Sequence, residues 1–529
     1  MPADSLDLVP RPISVQRREG SYRLPPDLAV DASPGWAAVA RRLLGPGTGL
    51  DLPLAADGAL RLVEDAGLAE EAYGLEVTPE GITLTASTER GLNWAVQTLR
   101  QLLPPDVLRA APSGAELVVP LVSVTDGPRF AWRGVMLDVA RHFLPLADLF
   151  RFVDLLALHK YNVLHLHLTE DQGWRFPSAS HPRLQEVGSW RSETRKHHDS
   201  QGDGTPHGGT YTVDQLRAVV AYAGQRGITI VPEIDLPGHA LAMLAAYPEL
   251  GNDPDRAYRP ATTFGVFDEV LNLSDETLQV VLDVYTELLE VFPSRYVHVG
   301  GDECPRTEWL ASPAAQVLAT ERGLADVTHL QRWFTEQLRD WLAARGRQLV
   351  GWDEICDEGP LAGAVAMAWR SSELGVAAAE AGLDVVMSPF SHTYFDFYPG
   401  DGDEEQYAIG GLTTTETVYG FEPLAGTTPE SSARVLGTQC QLWTEYVPSM
   451  RRAEYMLFPR ACAHSEVAWS APAGRSWSEF EPRLEGHLAR LDALGVNFRP
   501  EAGPQPWQQG GTGTLRRPPE QPRVHQQQA

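Results

Sequence analysis

Short apolar runs rich in β-branched residues recur through the middle of the chain, with helix-like segments between them. Eight such runs occur, at residues 132–139, 163–168, 228–234, 296–299, 348–352, 364–369, 385–389 and 436–443. Runs of this length are typical of buried strands. Segments with helical periodicity separate them, for example 146–159, 213–225, 277–291, 330–344 and 374–381. This alternation predicts an α/β fold, a (β/α)8 TIM barrel. An open doubly wound sheet fits less well, since no GxGxxG follows the first strand.

The regions on either side of the predicted barrel have a different pattern. Residues 1–127 mix short strand-like runs with helical ones, such as 73–85 and 91–103, which predicts a small α+β accessory domain. Asp126-Gly127-Pro128 marks the boundary. The barrel domain is predicted over 128–500, and residues 501–529, rich in Pro, Gly and Gln, are predicted to be a disordered tail.

Ionisable and aromatic residues collect directly after the predicted strands. They are Asp138, Arg141, His142, Asp171, Glu233, Asp235, His239, Asp302, Glu303, Trp352, Glu354, Trp369, Arg370, Tyr394, Asp396, Trp443 and Glu445. Catalytic groups of a TIM barrel come from the carboxyl ends of its strands and the loops that follow them. The sequence therefore predicts an active site at that end.

Charge and cysteine content narrow the class of protein. The 529 residues include 70 acidic and 43 basic ones, and a net charge of -27 argues against nucleic acid or an anionic membrane as a partner. Only two lysines occur, so Schiff-base catalysis has almost no candidates. The four cysteines form no CxxC, and we expect reduced thiols and no metal or other cofactor. No basic, apolar leader and no run of about 18 apolar residues is present, so we expect a soluble, cytoplasmic protein.

The segment HVGGDE, residues 298–303, carries the strongest chemical signal. In a straight strand Asp302 and Glu303 would point to opposite faces, so they can share one cavity only if the chain turns. Gly300 and Gly301 permit such a turn. An alternative is that the acidic pair caps the following helix.

Several long motifs resemble the family 20 glycoside hydrolases, the β-N-acetylhexosaminidases, over residues 9–469. The similar stretches are WRGVMLDVARHF (132–143), YNVLHLHLTEDQGWR (161–175), DGTPHGGTYT (203–212), ITIVPEIDLPGHA (228–240), HVGGDE (298–303), GWDE (351–354), YFD (394–396) and QLWTE (441–445). Residues 81–103 resemble the accessory domain of the family.

The resemblance implies an exo-acting, retaining hydrolase of terminal β-linked N-acetylhexosamine in oligosaccharides. In this family the 2-acetamido oxygen of the substrate is the nucleophile, and an oxazolinium intermediate forms. Glu303 matches the acid/base, and Asp302 matches the carboxylate that orients the acetamide. Glu303 must therefore hold a proton while Asp302 stays ionised, which requires different environments for two adjacent carboxyls.

The resemblance also assigns residues to the sugar pocket. Trp352, Trp369 and Trp443 match an aromatic box around the acetamide, and Tyr394 matches a donor to its oxygen. Arg133 and Glu445 match residues that bind the outer hydroxyls, and Asp396 matches one that reaches the 6-position. Asp171, Asp235 and His239 match a network that supports Glu303, with Glu170 open as the alternative acid. Ile409 stands where many relatives have a tryptophan at the leaving-group site, so the preference for the leaving group stays open.

Two other functions compete with this interpretation. A metal-dependent barrel hydrolase would use His165 and His167, whose spacing suits two metal ligands, but further histidines at later strand ends are absent. Histidines packed in the barrel and hydrogen-bonded to backbone are the simpler interpretation. A non-catalytic sugar-binding protein would be expected to lack Asp302 or Glu303, and both are present.

Overall fold

A computed structural model describes residues 6–196 and 201–509. Within it, residues 6–126 form a mixed six-stranded sheet with two main helices. The strands are β1 (Ser14–Arg23), β2 (Val30–Asp31), β3 (Leu60–Glu64), β4 (Tyr73–Thr78), β5 (Gly81–Ala86) and β6 (Val118–Asp126), in the order β1-β6-β4-β5-β3-β2. The helices are α1 (Pro34–Thr48), α2 (Glu89–Leu102) and a 3-10 turn (Pro105–Leu108). Alternate residues of β4 and β5 are buried, as expected of strands with one covered face. The predicted α+β unit is confirmed.

Eight parallel strands then close into a barrel. Its strands are β7 (Trp132–Asp138), β8 (Val163–His167), β13 (Thr229–Glu233), β14 (Tyr296–His298), β15 (Gln348–Trp352), β16 (Val365–Ala368), β17 (Asp384–Met387) and β18 (Val435–Leu442). Two short pairs, β9 (Thr169–Glu170) with β10 (Gly173–Trp174) and β11 (Trp190–Arg191) with β12 (His207–Gly208), lie in the loop after β8. Each barrel strand falls on one of the eight predicted runs, so the TIM barrel is confirmed.

Helices lie between the barrel strands and after the last of them. They are α3 (Leu146–Leu158), α4 (Arg183–Glu186), α5 (Val213–Gly224), α6 (Leu241–Ala246), α7 (Asp275–Val291), α8 (Thr307–Ala311), α9 (Pro313–Glu321), α10 (Leu330–Ala343), α11 (Ser372–Glu380), α12 (Phe390–Thr393), α13 (Thr415–Tyr419), α14 (Pro429–Ser432), α15 (Met450–Leu457), α16 (Arg460–Trp469) and α17 (Trp477–Ala493). Helices α15, α16 and α17 follow the last strand, β18. Short 3-10 turns cover Pro248–Leu250, Val327–His329, Asp353–Cys356 and Pro506–Gln508. Within the described ranges no helix is both long and apolar enough to cross a membrane.

The register of neighbouring strands sets the level of the polar residues. Asp138 lies beside His167, His167 beside Glu233, and Glu233 beside His298. Each of these residues ends its strand, so they form one layer near the carboxyl end of the barrel. The opposite, amino end meets the six-stranded domain, whose apolar core includes Leu158 and Trp469 of the barrel.

The end of the chain differs from the sequence prediction. Residues 501–509 were expected to belong to a disordered tail, yet Gln508 is buried and its side-chain amide donates to the carbonyl of Phe498 at 2.8 Å. Composition missed this contact because one buried amide side chain leaves no apolar pattern. Residues 510–529 of the predicted tail lie outside the described part of the chain.

Candidate active site

A turn after β14 brings both predicted catalytic carboxyls to one cavity. Gly300 and Gly301 have φ of +70° and +95°, and Glu303 itself has φ of +45°. A Cβ on Gly300 would lie 1.6 Å from Oδ1 of Asp235, so glycine is required there on steric grounds as well. The predicted turn is confirmed. The capping alternative has no support, since α8 begins at Thr307 and has no side-chain cap.

The cavity has a volume of about 370 Å³ and opens at the carboxyl end of the barrel. It is lined by Arg141, Asp302, Glu303, Trp369, Phe390, Tyr394, Asp396, Phe397, Ile409, Gly410, Gly411, Trp443 and Glu445. Seven predicted catalytic and sugar-binding residues beyond the Asp302 and Glu303 pair were expected here, and five of them line it: Trp369, Tyr394, Asp396, Trp443 and Glu445. Trp352 lies just behind the wall and Arg133 lies elsewhere, as described below.

His239 connects the two predicted catalytic carboxyls to a buried acidic pair. Its Nε2 is 3.9 Å from Asp302 Oδ2 and 3.8 Å from Glu303 Oε2. Its Nδ1 makes a hydrogen bond of 3.0 Å to Glu170, whereas Asp171 Oδ2 is 3.3 Å away and has no hydrogen-bond partner among the residues that the structure describes. Burial alone would lower the pKa of His239, but Glu170 and Asp171 raise it well above the ordinary value. An imidazolium therefore faces both carboxyls, and Glu170 is the closer acid.

Asp302 and Glu303 lie in different environments. The side chain of Asp302 is 11% exposed and that of Glu303 is 41% exposed. Burial raises the pKa of Asp302 to about 6, an effect that His239 opposes and that Glu233 and Glu303 increase. Asp235, which accepts a hydrogen bond of 3.1 Å from the Gly301 amide, adds a further buried carboxyl beneath this turn. The enclosed carboxyl and the accessible one suit two different roles.

Aromatic side chains form one wall. The rings of Trp369 and Tyr394 stack at 6.0 Å with an interplanar angle of 23°, and the ring of Tyr394 is 6.4 Å from that of Trp443. Trp352 is 1% exposed and packs 5.7 Å from Trp443, so it forms the floor behind the wall. Glu354 accepts a hydrogen bond of 2.9 Å from the indole of Trp369. Burial, with nearby acidic residues, raises the pKa of Glu354 to about 8, so this carboxyl holds its proton at neutral pH.

Arg141 is the cation of the cavity, and sequence reasoning gave it no role. Its guanidinium lies 2.7 Å from Glu170 and 3.4 Å from Glu445. Burial raises the pKa of Asp396 well above its usual range and Glu445 adds to this. The signal that could have identified Arg141 is its position, since it follows β7 at the carboxyl end.

The predicted role of Arg133 in binding the sugar is wrong. Arg133 is the second residue of β7, so it lies at the amino end of the barrel, away from the cavity. Its Nε donates to the Lys160 carbonyl at 2.9 Å, its Nη1 donates to the Phe130 carbonyl at 2.8 Å, and its Nη2 pairs with Glu71. Residues 133 and 141 belong to one motif, and a seven-residue strand carries them to opposite ends.

The histidines of the competing metal interpretation contact a carboxylate. His165 Nε2 lies 2.9 Å from Oε2 of Glu233, and His167 Nδ1 makes a short hydrogen bond to the same oxygen. We expected these histidines to make hydrogen bonds to backbone atoms, but both contact the side chain of Glu233. The residue spacing in β8 did not reveal this partner.

Ile409 lies at the mouth of the cavity. It is 45% exposed, and the exposed ring of Phe390 lines the same cavity. Two exposed apolar side chains, Ile409 and Phe390, therefore line this cavity.

Two family models match the chain over most of its length. The model "Glycosyl hydrolase family 20, catalytic domain" matches residues 130–472, and "Glycosyl hydrolase family 20, domain 2" matches residues 5–127. The beta-hexosaminidase of Porphyromonas gingivalis is 40% identical over 84% of this chain, which spans 56% of that protein's length. The beta-N-acetylhexosaminidase of Cellulomonas fimi is 35% identical, covering 94% of this chain and 96% of that protein.

Solved structures agree with these matches. The GH20 exo beta-N-acetylglucosaminidase of Vibrio harveyi, in complex with N-acetylglucosamine, aligns with a TM-score of 0.83 at 32% identity, over 94% of this chain and 78% of that one. A mutant Streptomyces plicatus beta-hexosaminidase with the product GlcNAc aligns with a TM-score of 0.82 at 31% identity, over 94% and 98%. Fold and relatives together define a glycoside hydrolase of the TIM-barrel class. Within that class, the chain belongs to glycoside hydrolase family 20, the β-N-acetylhexosaminidases.

Proposed function

We propose that this protein is an exo-acting, retaining β-N-acetylhexosaminidase that releases terminal β-linked N-acetylglucosamine or N-acetylgalactosamine by substrate-assisted catalysis. The observation that carries the proposal is the pair Asp302 and Glu303 at one cavity, one enclosed and one accessible, with His239 between them. The relatives support the substrate class, since one is named a beta-hexosaminidase and two solved structures, an exo beta-N-acetylglucosaminidase and a beta-hexosaminidase, contain N-acetylglucosamine.

In the proposed first step, Glu303 donates its proton to the glycosidic oxygen as the bond from C1 to that oxygen breaks. The acetamide oxygen of the same sugar forms the new bond to C1, which gives an oxazolinium ion, and Asp302 accepts a hydrogen bond from the acetamide N–H and balances the positive charge. In the second step Glu303 takes a proton from water as the water oxygen attacks C1, and the bond from C1 to the ring oxygen of the oxazolinium breaks, which re-forms the acetamide. Two inversions at C1 give net retention.

The acetamide must be held against C1 for this step, and the walls of the cavity suit that task. Trp369, Tyr394 and Trp443 form one wall of the cavity, and restricting a reacting group to near-attack positions lowers the entropic part of the barrier. Arg141, Asp396 and Glu445 at the same cavity would bind the outer hydroxyls of an unsubstituted terminal sugar, which supports exo action.

The test compares two chromogenic substrates that differ only at C2. The β-N-acetylglucosaminide should be hydrolysed, and the plain β-glucoside should be a very poor substrate because it lacks the nucleophile. A stable thiazoline mimic of the oxazolinium should bind more tightly than the substrate. Efficient hydrolysis of the plain glucoside, or a covalent sugar found on Asp302 by mass spectrometry, would contradict the mechanism.

A further inference from the structure

Glu233 is a buried carboxylate at the end of β13 for which the reaction steps above have no use. It is fully buried, and its two oxygens face different partners. The indole Nε1–H of Trp352 donates to Oε1 at 3.0 Å, and the ring of His167 donates to Oε2. The carboxylate of Glu233 thus contacts both Trp352, which forms the floor of the predicted acetamide pocket, and the charged ring of His167.

Charge explains why this arrangement is stable. Burial alone would raise the pKa of Glu233, but His167, His298 and His165 lower it well below the usual range. Burial would likewise lower the pKa of His167, yet Glu233 and Glu170 raise it well above the ordinary value. The two groups form an ion pair inside the barrel, where a lone charge would be very costly.

The second ring nitrogen of His167 continues the chain of contacts toward the catalytic pair. Its Nε2 is 3.2 Å from Oε1 of Glu170, and the other oxygen of Glu170 is 3.0 Å from His239 Nδ1. Glu170 Oε1 also lies 2.7 Å from Arg141. The contacts run from Trp352 through Glu233, His167 and Glu170 to the groups that face the substrate.

We infer that Glu233 is a positioning residue that fixes the indole of Trp352 under the acetamide and links it to the Glu170 and His239 pair beside Glu303. The inference rests on the proposed function, because only an acetamide nucleophile requires a fixed acetamide floor. A glutamine at this position has one oxygen and one NH2 group, so it can accept from the indole or from His167 but cannot serve both. Misplacement of the floor by a fraction of an ångström should therefore reduce turnover.

Glu233→Gln should lower kcat about 10- to 100-fold on the N-acetylglucosaminide, with KM changed less than about threefold. It should also narrow the preference for N-acetyl over the one-carbon-longer N-propionyl substrate, because a loosened indole admits the larger acyl group. Trp352→Phe removes the N–H and keeps most of the ring, and it should produce a smaller change of the same kind. Since both variants break one contact, the double variant should lose less than the product of the two single losses.

Glu466→Gln is the matched control. Glu466 is an equally buried carboxylate that accepts from Tyr419 at 3.0 Å and pairs with Arg483 at 2.6 Å, away from the cavity. This variant should lower the melting temperature and leave the acetyl-to-propionyl ratio unchanged. A ratio that shifts in the control as much as in Glu233→Gln would overturn the inference.

The inference is also overturned if folded Glu233→Gln keeps wild-type kcat and acyl preference, or if the two variants combine by simple multiplication. If Glu233→Gln does not fold, the test rests on Trp352→Phe. Unchanged kcat and unchanged acyl preference in that variant would contradict the proposal. Failure of the proposed function has a different signature, since wild-type protein would then hydrolyse the plain glucoside well.

Discussion

The two ends of the barrel bury similar groups and use them differently. At the amino end Arg133 lies 4.9 Å from the ring of Trp469 and pairs with Glu71. At the carboxyl end Arg141 lies 4.7 Å from the ring of Trp443 and faces three carboxylates. By residue type alone, either end could be a sugar site.

The two ends differ in whether their buried polar atoms have hydrogen-bond partners. At the amino end Asp126 accepts from Lys160 at 2.8 Å, from Tyr73 at 2.6 Å and from Trp469 at 2.9 Å. At the carboxyl end several buried polar atoms have no partner in the described protein: Asp302 Oδ1, Asp396 Oδ1, Glu445 Oε2 and His239 Nε2. A buried polar atom without a partner costs about 1–3 kcal/mol, so such a cluster is expected where a ligand completes it. The comparison teaches that unmet hydrogen-bonding capacity, more than burial or charge, distinguishes the binding end.

The largest expected effect is on turnover, at the accessible carboxyl of the carboxyl end. Glu303→Gln should slow hydrolysis about 10²- to 10⁴-fold, as is usual when acid/base catalysis is lost. The loss should be smaller for substrates whose leaving group needs no proton. Steady-state kinetics with a series of aryl leaving groups checks this, and equal losses across the series would contradict the assigned role.

Substitution of the two arginines should affect activity at one end of the barrel and stability at the other. Arg141→Ala should lower kcat/KM at least about 100-fold, because a charged hydrogen-bonding group in an enclosed site is lost. Arg133→Ala should lower the free energy of unfolding by about 3 kcal/mol, since Glu71 loses its buried partner, while the folded protein keeps its kinetics. Urea unfolding and kinetics on both variants measure this. A loss of activity in folded Arg133→Ala would restore the sugar-binding role that the structure removes.

Two aspartates should change stability in opposite directions. Burial raises the pKa of Asp302 above its unfolded value, so keeping it ionised costs stability at pH above about 6, and this cost disappears as pH falls below about 4. Asp302→Asn should therefore melt at a higher temperature than wild type at pH 7.5 and at a similar temperature at pH 4. Asp126→Asn should melt lower at pH 7.5, since buried Lys160 loses its counter-charge. Scanning calorimetry at both pH values decides, and a destabilised Asp302→Asn would break the comparison.

The smallest effect is the acid limb of activity. In the proposed mechanism Asp302 acts as a carboxylate, and burial raises its pKa to about 6 in the free protein. We expect kcat/KM to fall about tenfold for each pH unit below this value. A profile of kcat/KM from pH 4.5 to 8 measures it, and a flat profile down to pH 5 would show that another group carries the ionised role.

The fold was largely predictable because its signals are local. The run 348–352 coincides with β15, and the run 296–299 exceeds β14 by one residue. Gly300 and Gly301 predicted the turn at Asp302 because glycine, which lacks a Cβ, adopts positive φ without steric cost wherever it occurs. The tail boundary differs because Gln508 is buried and bonded to Phe498, ten residues earlier, and this contact leaves no apolar pattern in the sequence.

By itself the sequence determined the eight strands, the loops that follow them and the acidic pair at the fourth strand, because apolar periodicity and glycine act over a few residues. Only the tertiary structure decided which polar residues meet. It placed Arg141, not Arg133, at the cavity. It also brought His239 closer to Glu170 than to Asp171. Glu233 lies between Trp352 and His167 for the same reason. The physical reason is that strand direction, register and hydrogen-bond partners come from pairings between strands far apart in the chain, and residue type and spacing do not encode these pairings directly.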